Sequence, residues 1–223
     1  MSNPRRDFLG WLGASALLGA TASPLSANAA ETGALRALDT KFDMSWTDKL
    51  TGKYRAVFDS PGVSEGAALF RAVMWQDQYA EVYGTDPKTM TPVIVFRHEA
   101  IPLVMNDAYW AGFEVGKSTK LKTPAGKKWA VANPIRSSPA DTPPKWAKYN
   151  LESFIASGGI VLACNLAFGE VVSAFQDKEK IKERADARKR ALEHLIPGVI
   201  LQPSGVFAAL RAQEGGCHYI LAS

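Results

Sequence analysis

A single cysteine, Cys164, stands at the end of an apolar run and is the first feature of the sequence that could do chemistry. The run at 158–169 reads Gly-Gly-Ile-Val-Leu-Ala-Cys-Asn-Leu-Ala-Phe-Gly, which predicts a strand that ends at the thiol and a helix or turn that follows it. The amide donors and dipole of a helix start favour the nucleophilic thiolate over the thiol. A buried structural cysteine is the alternative, because free cysteines are among the most buried residues.

Three ionisable residues, Arg97, His98 and Glu99, follow a second apolar run in the same way. This run, Thr-Pro-Val-Ile-Val-Phe at 91–96, is typical of a strand that is buried on both faces. His98 is interpreted either as an acid or base that acts on Cys164 or as a structural residue that bonds a backbone carbonyl. A neighbouring Arg97 or His98 would favour the Cys164 thiolate further.

Strand and helix patterns alternate along the chain and predict how these residues are brought together. Apolar runs predict strands at 53–59, 91–96, 159–164, 199–202 and 217–221. Helical spacing predicts helices at 64–84, 102–113, 151–157, 166–175, 177–193 and 206–213. This order predicts an α/β domain with a doubly wound, mostly parallel five-stranded sheet that is covered by helices on both faces.

The carboxyl ends of parallel strands share one edge of a sheet, and ligand sites of open α/β sheets lie outside that edge. We therefore predict a site in which Cys164, His98 and Arg97 act as catalytic residues. Four further residues are predicted to bind a ligand there: Glu99, Asn106, Asn165 and Ser204. Other residues that the strand ends bring to the same edge are Asp59, Ser60, Gly62 and Gly205.

No metal site or nucleotide cofactor is predicted, because the sequence lacks clustered Cys and His ligands and both common Gly-rich phosphate loops. Cys217 falls at the start of its strand, about 17 Å from the carboxyl edge, whereas a disulfide needs α-carbons within about 7 Å. We expect Cys217 to be an unpaired core or interface cysteine. His194 is expected to be exposed on a charged helix, and His218 to be structural.

The N-terminal residues have the pattern of an export signal. Arg5-Arg6 precedes an apolar stretch at 8–22, and Ala27-Asn28-Ala29 is a small-x-small cleavage pattern. These features predict a twin-arginine signal peptide at 1–29, a leader segment at 30–52, a domain at 53–223 and a periplasmic location. The formal net charge of +4 is too small to indicate nucleic-acid binding, and no later segment is long and apolar enough for stable membrane insertion.

The segment 116–148 is a basic insertion. It holds seven Lys and one Arg against one acid, with five Pro and no sustained apolar period. It is interpreted as a solvated loop, a basic lid over the site or an oligomer contact. We expect a short hairpin around 124–126 and tethering by Trp129, Ile135 and Trp146.

Two C-terminal stretches carry a family resemblance. They are Gly-Gly-Ile-Val-Leu-Ala-Cys-Asn-Leu-Ala at 158–167 and Leu-Ile-Pro-Gly-Val-Ile-Leu-Gln-Pro-Ser-Gly-Val-Phe-Ala-Ala-Leu-Arg-Ala-Gln-Glu-Gly-Gly-Cys-His-Tyr-Ile at 195–220. Both resemble the C-terminal half of the DsrE/DsrF-like proteins. The resemblance implies a three-layer α/β/α, flavodoxin-like fold, homo-oligomers and, as in sulfur-relay members, a cysteine after the third strand that carries persulfide sulfur. Cys164 matches that position.

Two hypotheses of function follow. In the first, Cys164 carries or transfers sulfur as a persulfide and exchanges it with a sulfur donor or acceptor protein. In the second, the chain is a non-catalytic ligand-binding or oligomerisation module that uses the same sheet edge, and Cys164 only packs.

Overall fold

The computed structural model describes residues 42–123, 128–138 and 142–223. The predicted signal peptide, most of the leader and the tip of the predicted hairpin lie outside these residues. Within them, no helix has the length and apolar character needed to cross a bilayer.

The five predicted strands form one sheet, and all of them are parallel. They are β1 (Tyr54–Ser60), β2 (Met90–Phe96), β3 (Ile160–Cys164), β4 (Val199–Gln202) and β5 (His218–Leu221). Their order across the sheet is β4-β3-β2-β1-β5. All seven residues of the central strand β2 are buried, which explains its continuous apolar sequence. The predicted parallel five-stranded sheet is confirmed.

Helices cover both faces of the sheet, so the domain has the three-layer α/β/α, flavodoxin-like fold. The α-helices are α1 (Ala67–Tyr83), α2 (Asp107–Gly112), α3 (Val115–Ser118), α4 (Leu151–Ala156), α5 (Asn165–Glu179), α6 (Arg184–Leu192) and α7 (Gly205–Glu214). Short 3-10 helices lie at Ser45–Lys49, Ser64–Gly66, Pro87–Thr89 and His98–Val104.

The two faces of the sheet are covered unequally. Helices α1 to α6 belong to the connections between β1 and β4 and supply the core on one face, around Phe58 and Phe96. Helix α7 and the Ser45–Lys49 turn cover the other face, where Trp46 and Ala208 pack against Val95. The connection after β3 therefore runs to one face and the connection after β4 to the other. This divergence creates a crevice at the carboxyl ends of β3 and β4.

The predicted helix at 102–113 is wrong, because the chain breaks between a 3-10 helix and α2. Met105 forms an antiparallel bridge with Leu195, and the Asn106 amide donates a hydrogen bond of 2.8 Å to the His194 carbonyl. The Asn106 side chain then caps α2 by accepting a bond from the Tyr109 amide. Apolar spacing continues across the break, so the sequence did not reveal it.

The charged stretch predicted as one helix at 177–193 is also divided. Helix α5 runs to Glu179 and ends at Lys180, whose φ of 57° lies in the left-handed region. Helix α6 begins at Arg184. A left-handed lysine carries no sequence signal comparable with a glycine cap, so the break was not predicted.

The basic insertion is tethered by one of the three predicted residues. Ile135 is buried, whereas Trp129 is 41% exposed and Trp146, which packs on Tyr149, is 43% exposed, so Ile135 is the one buried anchor of the three. Polar contacts of Asn133 hold the segment instead, since its side-chain amide donates to the Leu103 and Met105 carbonyls. The Lys122–Trp129 bridge forms the base of the predicted hairpin.

His194 is partly buried, contrary to the prediction that it is exposed. It follows α6 in a loop, and its Nδ1 lies 3.0 Å from Asn106 Oδ1. Its Nε2 is buried and has no partner among the described residues. Burial lowers the pKa of His194, and the nearby Arg190 charge lowers it further. His218, predicted as structural, is exposed on β5.

We expect the lowered pKa of His194 to make the fold sensitive to acid. The unfolded chain protonates His194 more readily than the folded protein does. The contribution of neutral His194 to the free energy of unfolding is therefore fully present above a pH of about 6.5 and is lost as the pH falls through the pKa of the folded protein. Urea denaturation at pH 7.5 and pH 5 should show a smaller loss in His194→Gln than in the wild type. His218→Gln, which changes an exposed histidine, is the matched control. Equal losses of stability in all three proteins would contradict the attribution of the acid sensitivity to His194.

Candidate functional site

The crevice at the carboxyl ends of β3 and β4 is an open cleft with a volume of about 260 Å³. Its lining comes from the end of β2, the β3–α5 junction and the β4–α7 junction. The residues are Arg97, His98, Cys164, Leu166, Ala167, Glu170, Ser204, Gly205 and Val206. Three predicted catalytic residues and one predicted binding residue, Ser204, therefore share one cleft.

Cys164 is the last residue of β3 and caps the start of α5. Its Sγ accepts a hydrogen bond of 3.4 Å from the Ala167 amide, and the residue is 6% exposed. The thiol lines the cleft although little of it is open to solvent. An amide donor and the helix dipole at this position stabilise negative charge on the sulfur, whether it is a thiolate or a persulfide anion.

Arg97 is held by an ion pair with Asp59 from the neighbouring strand. Its Nε lies 2.8 Å from Asp59 Oδ1 and its Nη2 lies 2.9 Å from Oδ2. The Tyr219 hydroxyl donates a bond of 2.7 Å to the same Oδ2. The hydrogen bond to Asp59 raises the pKa of Arg97 and also that of Tyr219. Because the Asp59 carboxylate offsets the guanidinium charge, Arg97 supplies less net positive charge to Cys164 than an unpaired arginine.

Gly205 makes room for the Arg97 side chain at the start of α7. A Cβ at this position would lie 2.4 Å from Arg97 Cβ and 2.5 Å from its Cδ. No side chain fits at such distances without moving Arg97. The glycine thus lets the β2 end and the first turn of α7 approach each other and form one wall of the cleft.

His98 is exposed and lines the cleft. Its φ of 52° is in the left-handed region, which is uncommon for residues other than glycine. Its imidazole forms no hydrogen bond with any other residue that the structure describes, so the structural interpretation, a bond to a backbone carbonyl, has no support. Its imidazole is available to donate or accept a proton in the cleft.

Ser204 brings a second helix start to the cleft. Its hydroxyl accepts a hydrogen bond of 3.1 Å from the Phe207 amide and caps α7. The N-termini of α5 and α7 therefore both point into the crevice, each with partial positive charge.

Three of the predicted binding residues do not line the cleft. Glu99 is exposed next to His98, outside the lining. Asn106 caps α2 and contacts His194. The Asn165 side-chain oxygen accepts a bond of 2.7 Å from Arg188 Nη2 and so faces α6. None of the described residues of the basic insertion lines the cleft either, which does not favour the lid interpretation.

The sequence analysis did not predict four residues of the cleft: Leu166, Ala167, Glu170 and Val206. Leu166 and Glu170 lie one helical turn apart on α5, and Val206 lies in the first turn of α7. The i, i+4 spacing of Leu166 and Glu170, directly after Cys164, was a usable signal for one helix face.

Cys217 lies on the opposite face of the sheet from the α1 to α6 core and is not joined to Cys164. Burial raises the pKa of its thiol to about 11. Cys217 is therefore a core cysteine with little thiolate at neutral pH.

Among the described residues, no three His, Cys, Asp or Glu side chains come together as a metal site.

Comparison with known proteins gives no family model that matches this chain and no curated protein that matches its sequence. The function is therefore inferred from the cleft.

We expect Arg97→Met to lower the free energy of unfolding by about 2–3 kcal/mol, because it leaves the Asp59 carboxylate, 3% exposed, without its charge partner. The exposed fraction of Arg97, 28%, keeps the loss below that of a fully buried pair. Urea denaturation measures the loss.

Arg211→Met, which breaks the exposed pair with Glu214, is the matched control and should cost less than about 1 kcal/mol. Adding Asp59→Asn to Arg97→Met should recover part of the loss, since no unpaired charge then remains. If the Arg97 and Arg211 variants lose equal stability, the Asp59 pair does not hold the cleft.

Proposed function

We propose that this chain is an exported, DsrE-like protein that carries or transfers sulfur as a persulfide on Cys164. The observation that supports the proposal best is the position of the Cys164 sulfur, which lines an open cleft and accepts the amide bond of Ala167 at the start of α5.

The chemistry is one thiol exchange. The Cys164 thiolate attacks the outer sulfur of a donor, the donor's sulfur–sulfur bond breaks, and the donor thiolate leaves with the electron pair. His98, in the same cleft, can protonate that leaving thiolate. The persulfide anion on Cys164 keeps the stabilisation that the helix start gives to the thiolate. Attack by an acceptor thiol then removes the outer sulfur.

The resemblance to the DsrE/DsrF-like proteins supports the same residue. The stretch 158–167 forms β3 and the start of α5, and the stretch 195–220 includes β4, α7 and most of β5. These elements build most of the cleft wall around Cys164.

A non-catalytic binding module is the second candidate. It is favoured by the low exposure of Cys164, 6%, and by the pairing of Arg97 with Asp59. Alkylation separates the two candidates. If iodoacetamide at neutral pH modifies Cys164 no faster than an ordinary thiol with a pKa of about 8.5, the binding module is the better description.

Persulfide carriage predicts that cyanide releases about one thiocyanate per chain after treatment with a sulfane-sulfur donor. Cys164→Ser should release almost none, because the acceptor sulfur is gone. Cys217→Ser is the matched control and should behave as the wild type, since burial keeps that thiol protonated. Release from Cys164→Ser equal to that from the wild type rules out the proposal.

Export by the twin-arginine pathway is part of the proposal. Protein recovered from the periplasm should begin at Ala30, as N-terminal sequencing can determine. Replacing Arg5 and Arg6 by Lys should leave the uncut chain in the cytoplasm. Periplasmic recovery that does not depend on these arginines contradicts a twin-arginine signal.

We also propose that the chain forms homo-oligomers through β5. Among the described residues β5 pairs only with β1, and all four of its residues are exposed. An open edge with apolar side chains is a surface for pairing with another chain. Light scattering should show an oligomer that Leu221→Lys dissociates and that Val82→Lys, on α1, leaves intact. A monomeric wild type contradicts the proposal.

A further inference from the structure

The cleft next to Cys164 has little net positive charge. Arg97 is the one Arg or Lys side chain in the described lining, and Asp59 neutralises it through two hydrogen bonds. Glu170 adds an exposed carboxylate on the α5 wall. The attacking thiolate is itself an anion, and it interacts with the partial positive charge at the start of α5. The partial positive charge at the start of α7 is smaller than the full negative charges of the thiolate and Glu170, so a doubly charged sulfur donor, such as an oxyanion, would meet repulsion in this cleft.

Two large apolar side chains project at the rim of the cleft. Leu166, in the first turn of α5, is 71% exposed, and Val206, in the first turn of α7, is 60% exposed. Both line the cleft, and they come from different sides of the crevice. Exposed apolar surface of this kind gains free energy when an apolar ligand covers it.

We propose that the sulfur donor is a small, uncharged organic polysulfane, and that Leu166 and Val206 are the residues that select it. This inference rests on the proposed function of Cys164. The alkyl groups of the donor contact the two apolar side chains. Glu170 excludes donors that carry anionic groups.

The reaction with a dialkyl trisulfide balances without an oxidant. The Cys164 thiolate attacks the central sulfur, one sulfur–sulfur bond breaks, and an alkyl thiolate leaves with the electron pair and takes a proton. Cys164 then holds a trisulfide. A low-molecular-weight thiol that attacks the sulfur bearing the alkyl group releases a mixed disulfide and leaves the persulfide on Cys164.

Two dialkyl trisulfides with two-carbon alkyl groups test the inference: diethyl trisulfide, which is uncharged, and bis(2-sulfoethyl) trisulfide, which carries two sulfonates. Intact-mass spectrometry follows the modification of Cys164 in Cys217→Ser protein, with the urea-unfolded chain as the reference for intrinsic reactivity. After this normalisation, the folded protein should prefer the uncharged donor by at least about tenfold.

Variants identify the residues that produce the preference. Leu166→Ser and Val206→Ser should each lower the rate at which the uncharged donor modifies Cys164 by about threefold or more. The rate with the sulfonated donor should not change. Leu210→Ser is the matched control, because Leu210 is 55% exposed on α7 and does not line the cleft. Glu170→Gln should raise only the rate at which the sulfonated donor modifies Cys164.

The outcomes separate this inference from the proposed function. If the sulfonated donor modifies Cys164 as fast as the uncharged one, or if Leu166→Ser behaves like Leu210→Ser, the donor class is wrong while persulfide carriage stands. If neither donor modifies Cys164 in the folded protein and cyanide releases no thiocyanate, the proposed function itself is wrong.

Discussion

The ion pair between Asp59 and Arg97 organises the carboxyl edge of the sheet. Asp59, the penultimate residue of β1, has a buried carboxylate, which requires a charged partner. Arg97 provides it from the residue after β2, and Tyr219 adds a bond from β5. Gly205 lets the start of α7 close over the arginine. One carboxylate thus joins three strands, β1, β2 and β5, and the arginine it holds packs against the start of α7.

The cleft lies where it does because of the strand order. Connections after β1, β2 and β3 return over one face, and only the connection after β4 crosses the other. The helices that follow β3 and β4 therefore diverge and leave a crevice between their N-termini. The β3–α5 junction borders that crevice, so the position of Cys164 at the cleft follows from the topology of the sheet.

The sequence predicted the fold well because buried parallel strands have apolar sequences that few other elements share. The predicted span of β4, 199–202, is the observed one, and the others differ by a single residue at one or both ends. The predicted meeting of Arg97, His98, Cys164 and Ser204 also followed from the sheet edge.

Long-range contacts caused two of the errors. The break before α2 depends on the bridge from Met105 to Leu195, and the burial of His194 depends on Asn106. Neither pair is near in sequence, and no local pattern encodes such contacts. The partnership of Arg97 with Asp59 has the same origin, since the sequence placed both at one edge but could not show that their charges cancel.

The position of β5 makes the completion of the sheet depend on a contact between distant parts of the chain. This strand is the last of the five in the sequence, yet it pairs with β1, the first of them, and its Tyr219 completes the hydrogen bonds of Asp59 across a separation of 160 residues. Contacts of such long separation slow folding, so we expect the β1–β5 pairing to form late. A folding intermediate without β5 leaves the outer edge of β1 open and Asp59 without its bond from Tyr219.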